Sequence, residues 1–489
     1  MAWVRSPSAG IFALAAGLTV AGCTQGPDFR APSSAGATWT PPPTTTAETG
    51  VAGGESQVFL PGKDLPAEWW QLFSSPALND LIRQALADSP DLRSAQAALH
   101  QAEDNLQAGS SVLYPQVSGN AGASRQAQGA GVAGGQTSFY NVFNASVGVS
   151  YVLDIFGGER RAIEGLAAQV DYQKYQLAGT YLTLTANVVT TAVQLAAVQD
   201  QIEATEDIVA GEEHQLALAS DQYAVGAAAK ADVLSARAQL EGTQATLPAL
   251  QKTLEIDQHA LAALIGRAPD QMPQLKLHLA DFTLPRELPL SLPSSLARQR
   301  PDIRAQEALL HAASAQIGVA MANQFPQITL TGGTGAQSPH FADLFSGNAL
   351  FLGLAGGLTQ PLFDAGQRRA ETDAAKAAYA MAQAQYQGTV IHAFQNVADC
   401  LTALRNDALA LKSTYAAMVD GKASVDLTQA RYAAGTVAYV ALLVQQQQYQ
   451  QARIAYLTTL ASRYSDTAAL FQALGGGWWH DAALAQGTP

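Results

Sequence analysis

The sequence predicts an α+β membrane protein in which short β-hairpins interrupt very long helices, the whole arrangement occurring twice in one chain. Three observations carry that prediction. First, SPDLRSAQAALHQA from Ser89 returns as RPDIRAQEALLHAA from Arg300, about 211 residues later, and Tyr223-x-x-Gly226 returns as Tyr432-x-x-Gly435. Second, apolar residues recur at every seventh position in two stretches free of proline, 116–247 and 362–488. Third, a run of period-two alternation precedes each of those ladders. The repeating unit is far longer than the 20 to 50 residues of a solenoid, so half a fold has been duplicated.

The chain opens on a processing signal, residues 1–22. Arg5 supplies a positive start and Ile11 to Val20 an apolar stretch of about ten residues, too short to span a bilayer as a helix. Val20-Ala21-Gly22-Cys23 then resembles a bacterial lipobox, so Cys23 is expected to be acylated and to become the first residue of the mature protein. Thr24 follows it rather than the aspartate that favours inner-membrane retention, which points to the outer membrane. Residues 23–66 are rich in Pro, Thr, Gly and Ala and read as an extended tether behind the lipid.

The first repeat is expected over 67–268. A short helix around Ser89 leads into a β-hairpin at 115–156, where Phe143, Ala145, Val147, Val149, Tyr151 and Leu153 alternate with Asn144, Ser146, Gly148, Ser150, Val152 and Asp154. Period two with one apolar face over about ten residues suits a lipid-facing strand. The long helix follows. Val188, Leu195, Ile202, Val209, Leu216 and Tyr223 form one edge of a seam, and Ile163, Val170, Leu177 and Leu184 begin the other. A strict seven-residue period implies left-handed supercoiled packing. A helix from Arg160 to Tyr223 would be about 95 Å long at 1.5 Å per residue. The chain turns at 223–230 and comes back through Val233, Leu240, Leu247, Leu254 and Leu261, with Pro248 expected to interrupt the return.

Prolines cluster again in 269–294, the linker between copies. The second repeat, 295–475, places a hairpin at 325–363 with Leu350, Leu352, Leu354, Leu358 and Leu362 on one parity. Its long helix carries Val390, Val397, Leu404, Leu411, Met418, Val425 and Tyr432, with Phe394, Leu401, Ala408 and Tyr415 on the other edge. The turn falls at 432–439, and 476–489 is a short tail. Each copy supplies two strands, and four strands cannot close; an open edge in lipid leaves backbone groups unsatisfied at several kcal/mol each. A barrel shared between chains is therefore expected, twelve strands from three copies.

Composition narrows the function. A net charge of −13 argues against nucleic acid as a partner, since that needs a basic surface. If Cys23 carries lipid, Cys400 has no partner within the chain, so no intrachain disulfide and no thiolate metal site is expected. The eight histidines are scattered, without metal-ligand spacing; His100 and His311 recur by duplication and read as packing or surface residues. Gly129-x-Gly131-x-x-Gly134 spells a dinucleotide fingerprint but lies between two strands, without the helix it should open. No nucleophile elbow or ATP-binding loop is present, so no catalysis and no cofactor beyond the lipid is expected.

RPDIRAQEALLHAASAQIGVAMANQFPQITLTGG closely resembles the hallmark segment of the TolC family of outer-membrane factors, and within it the NodT/OprM-type efflux lipoproteins. CTQGPDFRAP from Cys23, EWWQLFSSPALNDLIRQAL from Glu68, LDIFGGERR from Leu153 and QPLFDAGQRR from Gln360 resemble further motifs of that family, in order. The resemblance covers nearly the whole mature chain. It implies a homotrimer with a twelve-stranded β-barrel in outer-membrane lipid and a long α-helical barrel in the periplasm. It further implies an exit duct working with a periplasmic adaptor (membrane fusion) protein and an inner-membrane pump of RND or MFS type. The turns at Tyr223, Gly226 and Gly435 would be the adaptor contact.

The chain departs from that family at the periplasmic tip. Many members carry aspartates six and nine residues after the second turn glycine, where this chain has Ala441 and Val444, and some have a gate arginine where this chain has Val437. The first copy keeps Asp232, beside Lys230. The tip is therefore expected to close by packing Tyr432 and Tyr439, with Asp232 as the leading acidic residue. The transported cargo is expected to be small molecules such as drugs. A duct for peptides or proteins and a surface-anchored coiled-coil lipoprotein without a pore are the alternatives, the last disfavoured by the leucine-faced hairpin.

Overall fold

The computed structural model describes residues 24–32, 45–129, 137–272, 275–290, 293–482 and 484. The signal segment, Cys23, and Gly131 and Gly134 of the glycine fingerprint lie outside the described residues. The described residues form two compact units, the first drawn from within 1–32, 98–173 and 305–387, the second from within 33–97, 174–304 and 388–489.

The first unit holds a four-stranded antiparallel sheet of order β2-β3-β5-β6. The strands are β2 (Gln116–Gln128), β3 (Ser138–Leu153), β5 (Gln327–Ser338) and β6 (Leu350–Thr359). Register turns four separate alternations into one surface. Val149 pairs with Val117 and with Gly332, and Gly332 pairs with Leu354. Tyr151 likewise faces Leu330, and Ile328 faces Leu358. Every large apolar residue of one parity thus lies on one face, with Ser118, Asn144, Ser146, Thr329 and Thr331 on the other. A one-residue slip would move the apolar set to the wrong side. Val117, Leu352, Leu354 and Leu358 are all more than 65% exposed in the single chain, an apolar face that the described residues do not cover.

Helices build the second unit, and four of them extend into the first. After α1 (Pro76–Asp88) and α2 (Pro90–Ser110) come α3 (Gly158–Ala224), α4 (Lys230–Gln244) and α5 (Leu247–Leu264). The second copy has α6 (Pro293–Gln299), α7 (Pro301–Ala322), α8 (Gln367–Ala433) and α9 (Tyr439–Ala473). Both α3 and α8 are 67 residues long; each contributes its opening turns to the first unit, which also holds most of α2 and of α7. The return path is broken in the first copy, where Pro248 takes the second position of α5, and continuous in the second. Ladder residues Val188, Leu195, Val397, Leu404 and Leu411 are fully buried. Part of α3 is apolar enough to cross a membrane by composition, yet most of it is buried within the chain.

Proline density hid one element. The segments read as tether and linker meet as β1 (Val58–Pro61) and β4 (Glu287–Leu290), a parallel pair. Proline suits such two-stranded edges, which need few ladder donors. Alongside them Trp69, Trp70 and Phe73 pack with Tyr181, Tyr464 and Phe471 at ring separations of 5.6–6.4 Å. This aromatic core fastens the segment after the tether to α3 and α9.

Candidate functional site

Three features bear on function: the apolar sheet face, the segment that follows Cys23, and the helix turns. Among the described residues strands β2 and β6 each have one partner, so the sheet has two open edges. Their unpaired backbone groups and the uncovered apolar face belong to the same surface, and water and lipid make opposite demands on the two.

Residues 24–32 are held at the end of the first hairpin. Gln25 N donates to Phe156 O at 3.0 Å. The nearly buried Arg161 guanidinium donates to Gln25 O (3.1 Å), Asp28 Oδ1 (2.8 Å) and Glu164 Oε2 (2.7 Å). Glycine is required where backbones meet: a Cβ on Gly26 would stand 2.5 Å from Gly318 Cα, and one on Gly157 2.9 Å from Thr24 Cα. His311 completes the cluster, its ring stacked 4.3 Å from Phe29 and its Nε2 2.8 Å from Glu164 Oε1. Burial opposes ionisation of Glu164, but Arg161 and His311 hold its carboxyl below the usual range. Arg161 was not singled out by sequence; its presence in LDIFGGERR was the available signal.

The turns explain the Tyr-x-x-Gly motif. Gly226 (φ +76°) and Gly435 (φ +69°) adopt the left-handed conformation that ends helices cheaply only at glycine. Gly226 N bonds Tyr223 O and Ala227 N bonds Gln222 O; Gly435 N bonds Tyr432 O and Thr436 N bonds Arg431 O. This pair of reversed bonds is the Schellman motif, and it puts a tyrosine three residues before each glycine on the last turn.

The tyrosines then differ. Tyr223 is half exposed, whereas Tyr432 donates its hydroxyl to Gln222 Oε1 at 3.0 Å and lies 5.3 Å from the Tyr439 ring. Tyr439 is 3% exposed and packs with Ala236, Val425 and Leu442. Burial pushes the Tyr439 phenol up to about 12; burial and then Asp232 raise that of Tyr432. Asp232 accepts from Ala229 N at 3.2 Å, so it caps the start of α4, and Lys230 opens that helix exposed to solvent. Ala441 occupies the matching third position of α9 and has no side-chain acceptor to offer. Gln222, the partner of Tyr432, was invisible to patterning because it lies on the other copy's helix.

Other chemical groups are structural. Asp200, Glu203 and His278 bring three potential metal-ligand atoms together. However, Asp200 already takes His278 Nδ1 (2.7 Å) and Leu279 N (3.0 Å), anchoring the loop before β4 to α3. That hydrogen bond raises the His278 pKa. Cys400 is a free, half-buried thiol pushed up to about 11 by burial, which suppresses the reactive thiolate.

Comparison with known proteins follows the same outline. The model of the outer membrane efflux protein family matches residues 81–267 and 292–476, one segment per copy. The antibiotic efflux pump outer membrane protein ArpC of Pseudomonas putida is 30% identical over 471 residues, covering 95% of this chain and 94% of ArpC. The pyoverdine export outer membrane protein OpmQ of Pseudomonas putida strain KT2440 is 29% identical over 450 residues, 91% of this chain and 95% of OpmQ. Among solved structures, the outer-membrane channel OprN superposes with a TM-score of 0.84 at 28% identity, over 93% of this chain and 100% of its own. The open state of the Neisseria gonorrhoeae MtrE outer membrane channel gives 0.80 at 27% identity, over 93% and 98%.

Proposed function

The chain belongs to the outer membrane efflux protein family, and on that premise we propose that three copies form the exit duct of a tripartite efflux system. The carrying observation is the four-stranded sheet with one uncovered apolar face and two open edges. In hydrocarbon such edges must be paired, and three copies joined edge to edge give a closed barrel of twelve strands, an even number as such barrels require. The long helices α3 and α8 and their return paths would continue as a helical barrel in the periplasm. A periplasmic adaptor, meeting the turns at Gly226 and Gly435, and an inner-membrane pump of RND or MFS type would supply cargo and energy. The chain itself would be a passive conduit without catalytic activity.

Acylation of Cys23 belongs to the same reading. The seating of Gln25 and Gly26 beside Phe156 and Gly318 supports a lipid held near the strand ends, where it could enter the membrane. The relative named for antibiotic efflux favours small-molecule cargo over a protein.

The decisive measurement is the native mass of protein extracted in detergent from purified outer membranes, with strand content by circular dichroism. A trimer retaining the strands is the expected result. A monomer or dimer, almost wholly helical, would remove the pore and leave an anchored coiled-coil lipoprotein.

A further inference from the structure

Towards the turns, the seam of the long helices changes character. On α3 the edge begun by Ile163, Val170, Leu177 and Leu184 continues, at the same seven-residue step, through Thr205 to Glu212. On α8 the edge of Phe394, Leu401, Ala408 and Tyr415 continues to Lys422. Where the apolar edges give way, a cavity of about 620 Å³ opens between α3, α8 and α9. Ile208, Met418, Val425 and Tyr449 form its apolar wall, and Gly211 adds no side chain.

Glu212 is 3% exposed. Its Oε1 accepts from Gln239 Nε2 (3.0 Å) and Thr243 Oγ1 (3.1 Å). Its Oε2 is buried and takes no hydrogen bond from the described residues, and neither does Oε1 of Gln215 or of Gln446. All three side chains line the cavity. The remaining charges of the wall are paired: Arg453 with Asp207 at 3.0 Å and Lys422 with Asp426 at 2.6 Å. Glu212 is thus a buried carboxylate on the wall of a cavity, with no counter-ion among the described residues. Burial outweighs its two hydrogen bonds and pushes its carboxyl above the usual range, as expected for a charge that lacks an opposite partner.

We propose that this cavity is a binding site for protonated organic amines. An ammonium group brings three donors and a positive charge, and the wall offers three unpaired acceptors, one of them anionic, that are closed to water and would reach the amine by turning their side chains into the cavity. The apolar wall and a volume inside the range of about 300–1,000 Å³ typical of small-molecule pockets suit the organic part, and a strongly hydrated metal ion would leave that wall unused. The inference goes beyond the duct reading and does not rest on it, because binding is read on the purified protein alone.

The test titrates dansylcadaverine, a fluorescent primary amine, into the full-length protein in detergent. N-butyl dansylamide, which lacks the amine, is the neutral control. Saturable binding of the amine, one per chain, with no saturable binding of the control is expected. Glu212→Gln should weaken the amine at least about tenfold, because it removes the charge-assisted bond. Gly211→Leu should abolish binding with Glu212 intact, since a Cβ at Gly211 meets nothing within 4 Å and the added side chain can fill the cavity without displacing a neighbour. Both variants should keep the wild-type native mass and melting temperature or exceed it. Equal binding of the neutral control, unchanged affinity in both variants, or displacement by sodium as effective as by unlabelled amine would overturn the proposal.

Discussion

Tyr432→Phe removes a single hydroxyl and tests whether the tip is latched by the bond to Gln222. That bond, 3.0 Å long, joins the last turn of α8 to the last turn of α3, so it ties one copy's helix turn to the other's. A neutral hydrogen bond contributes about 0.5–1.5 kcal/mol. Both groups are half-buried, so each can find water when separated and the lower half of that range applies best. The raised pKa of the Tyr432 phenol keeps it a donor throughout the neutral range. If the bond exists only in the closed duct and three copies act together, the closed state loses about 1.5–3 kcal/mol. That corresponds to a shift in the closed-to-open ratio of about tenfold to somewhat over a hundredfold, on the order of 1.4 kcal/mol per tenfold. Tyr432→Ala should go further, because it also removes the ring pair with Tyr439, worth about 0.5–1.5 kcal/mol per copy. Single-channel recording in planar bilayers reads the open fraction directly. Gln222→Ala should match Tyr432→Phe, and the double variant should add little to either, as partners in one bond behave. An unchanged open fraction in Tyr432→Phe, with the native assembly intact, would refute the latch; so would strict additivity of the two single changes.

Two further outcomes follow from other parts of the chain. Leu354→Arg places a charge on the most apolar strand, at a residue 85% exposed in the single chain; at mid-depth in lipid the cost is about 2–4 kcal/mol, so heat-resistant assembly on semi-native gels should fall sharply, while Ser146→Arg on the opposite face should leave assembly in place. The His278–Asp200 pair should make stability depend on pH: the folded His278 pKa is raised, so the stabilisation is full below the ordinary value near 6.5 and is lost as pH rises through the folded value. Melting curves should therefore separate wild type from Asp200→Asn at acidic pH and converge at alkaline pH, and a constant gap would count against the linkage.

The sequence carried the periodic parts of this fold because they are local. Seven-residue ladders specify a helix and its buried seam whatever lies opposite, and period-two runs specify a strand and its apolar face. Even the Tyr-x-x-Gly signature is local, since the Schellman geometry at Gly226 and Gly435 is closed by residues within five positions. Juxtapositions between distant segments were not legible. The pairing of β1 with β4 joins residues more than 200 apart, and nothing in a proline-rich segment names its partner. Glu212 was an intermediate case. It lies on the very ladder that marked Ile163 through Leu184, and a carboxylate at a seam position is a visible anomaly. Only the packing of Gln239 and Thr243 on one oxygen, and of nothing on the other, gives that anomaly a chemical meaning.

The two copies of the hairpin end alike but begin their return differently, and the difference can be tested. Asp232, third residue of α4, accepts the Ala229 amide and closes the start of that helix. In α9 the same position is Ala441, so the Ala438 amide is left without a carboxylate cap, and the second turn relies on the burial of Tyr439 and on the Tyr432 hydroxyl. Ala441→Asp should supply what is missing. An acceptor at the third position, acting with the helix dipole, contributes about 0.5–1 kcal/mol, which would slow hydrogen exchange at the turn amides about twofold to fivefold. The first turn, already capped, serves as the internal reference and should exchange as before. If the second turn is unaffected while Asp232→Ala speeds the first, then Tyr439 burial alone fixes α9, and the latch at Tyr432 must act on a helix end that is already rigid.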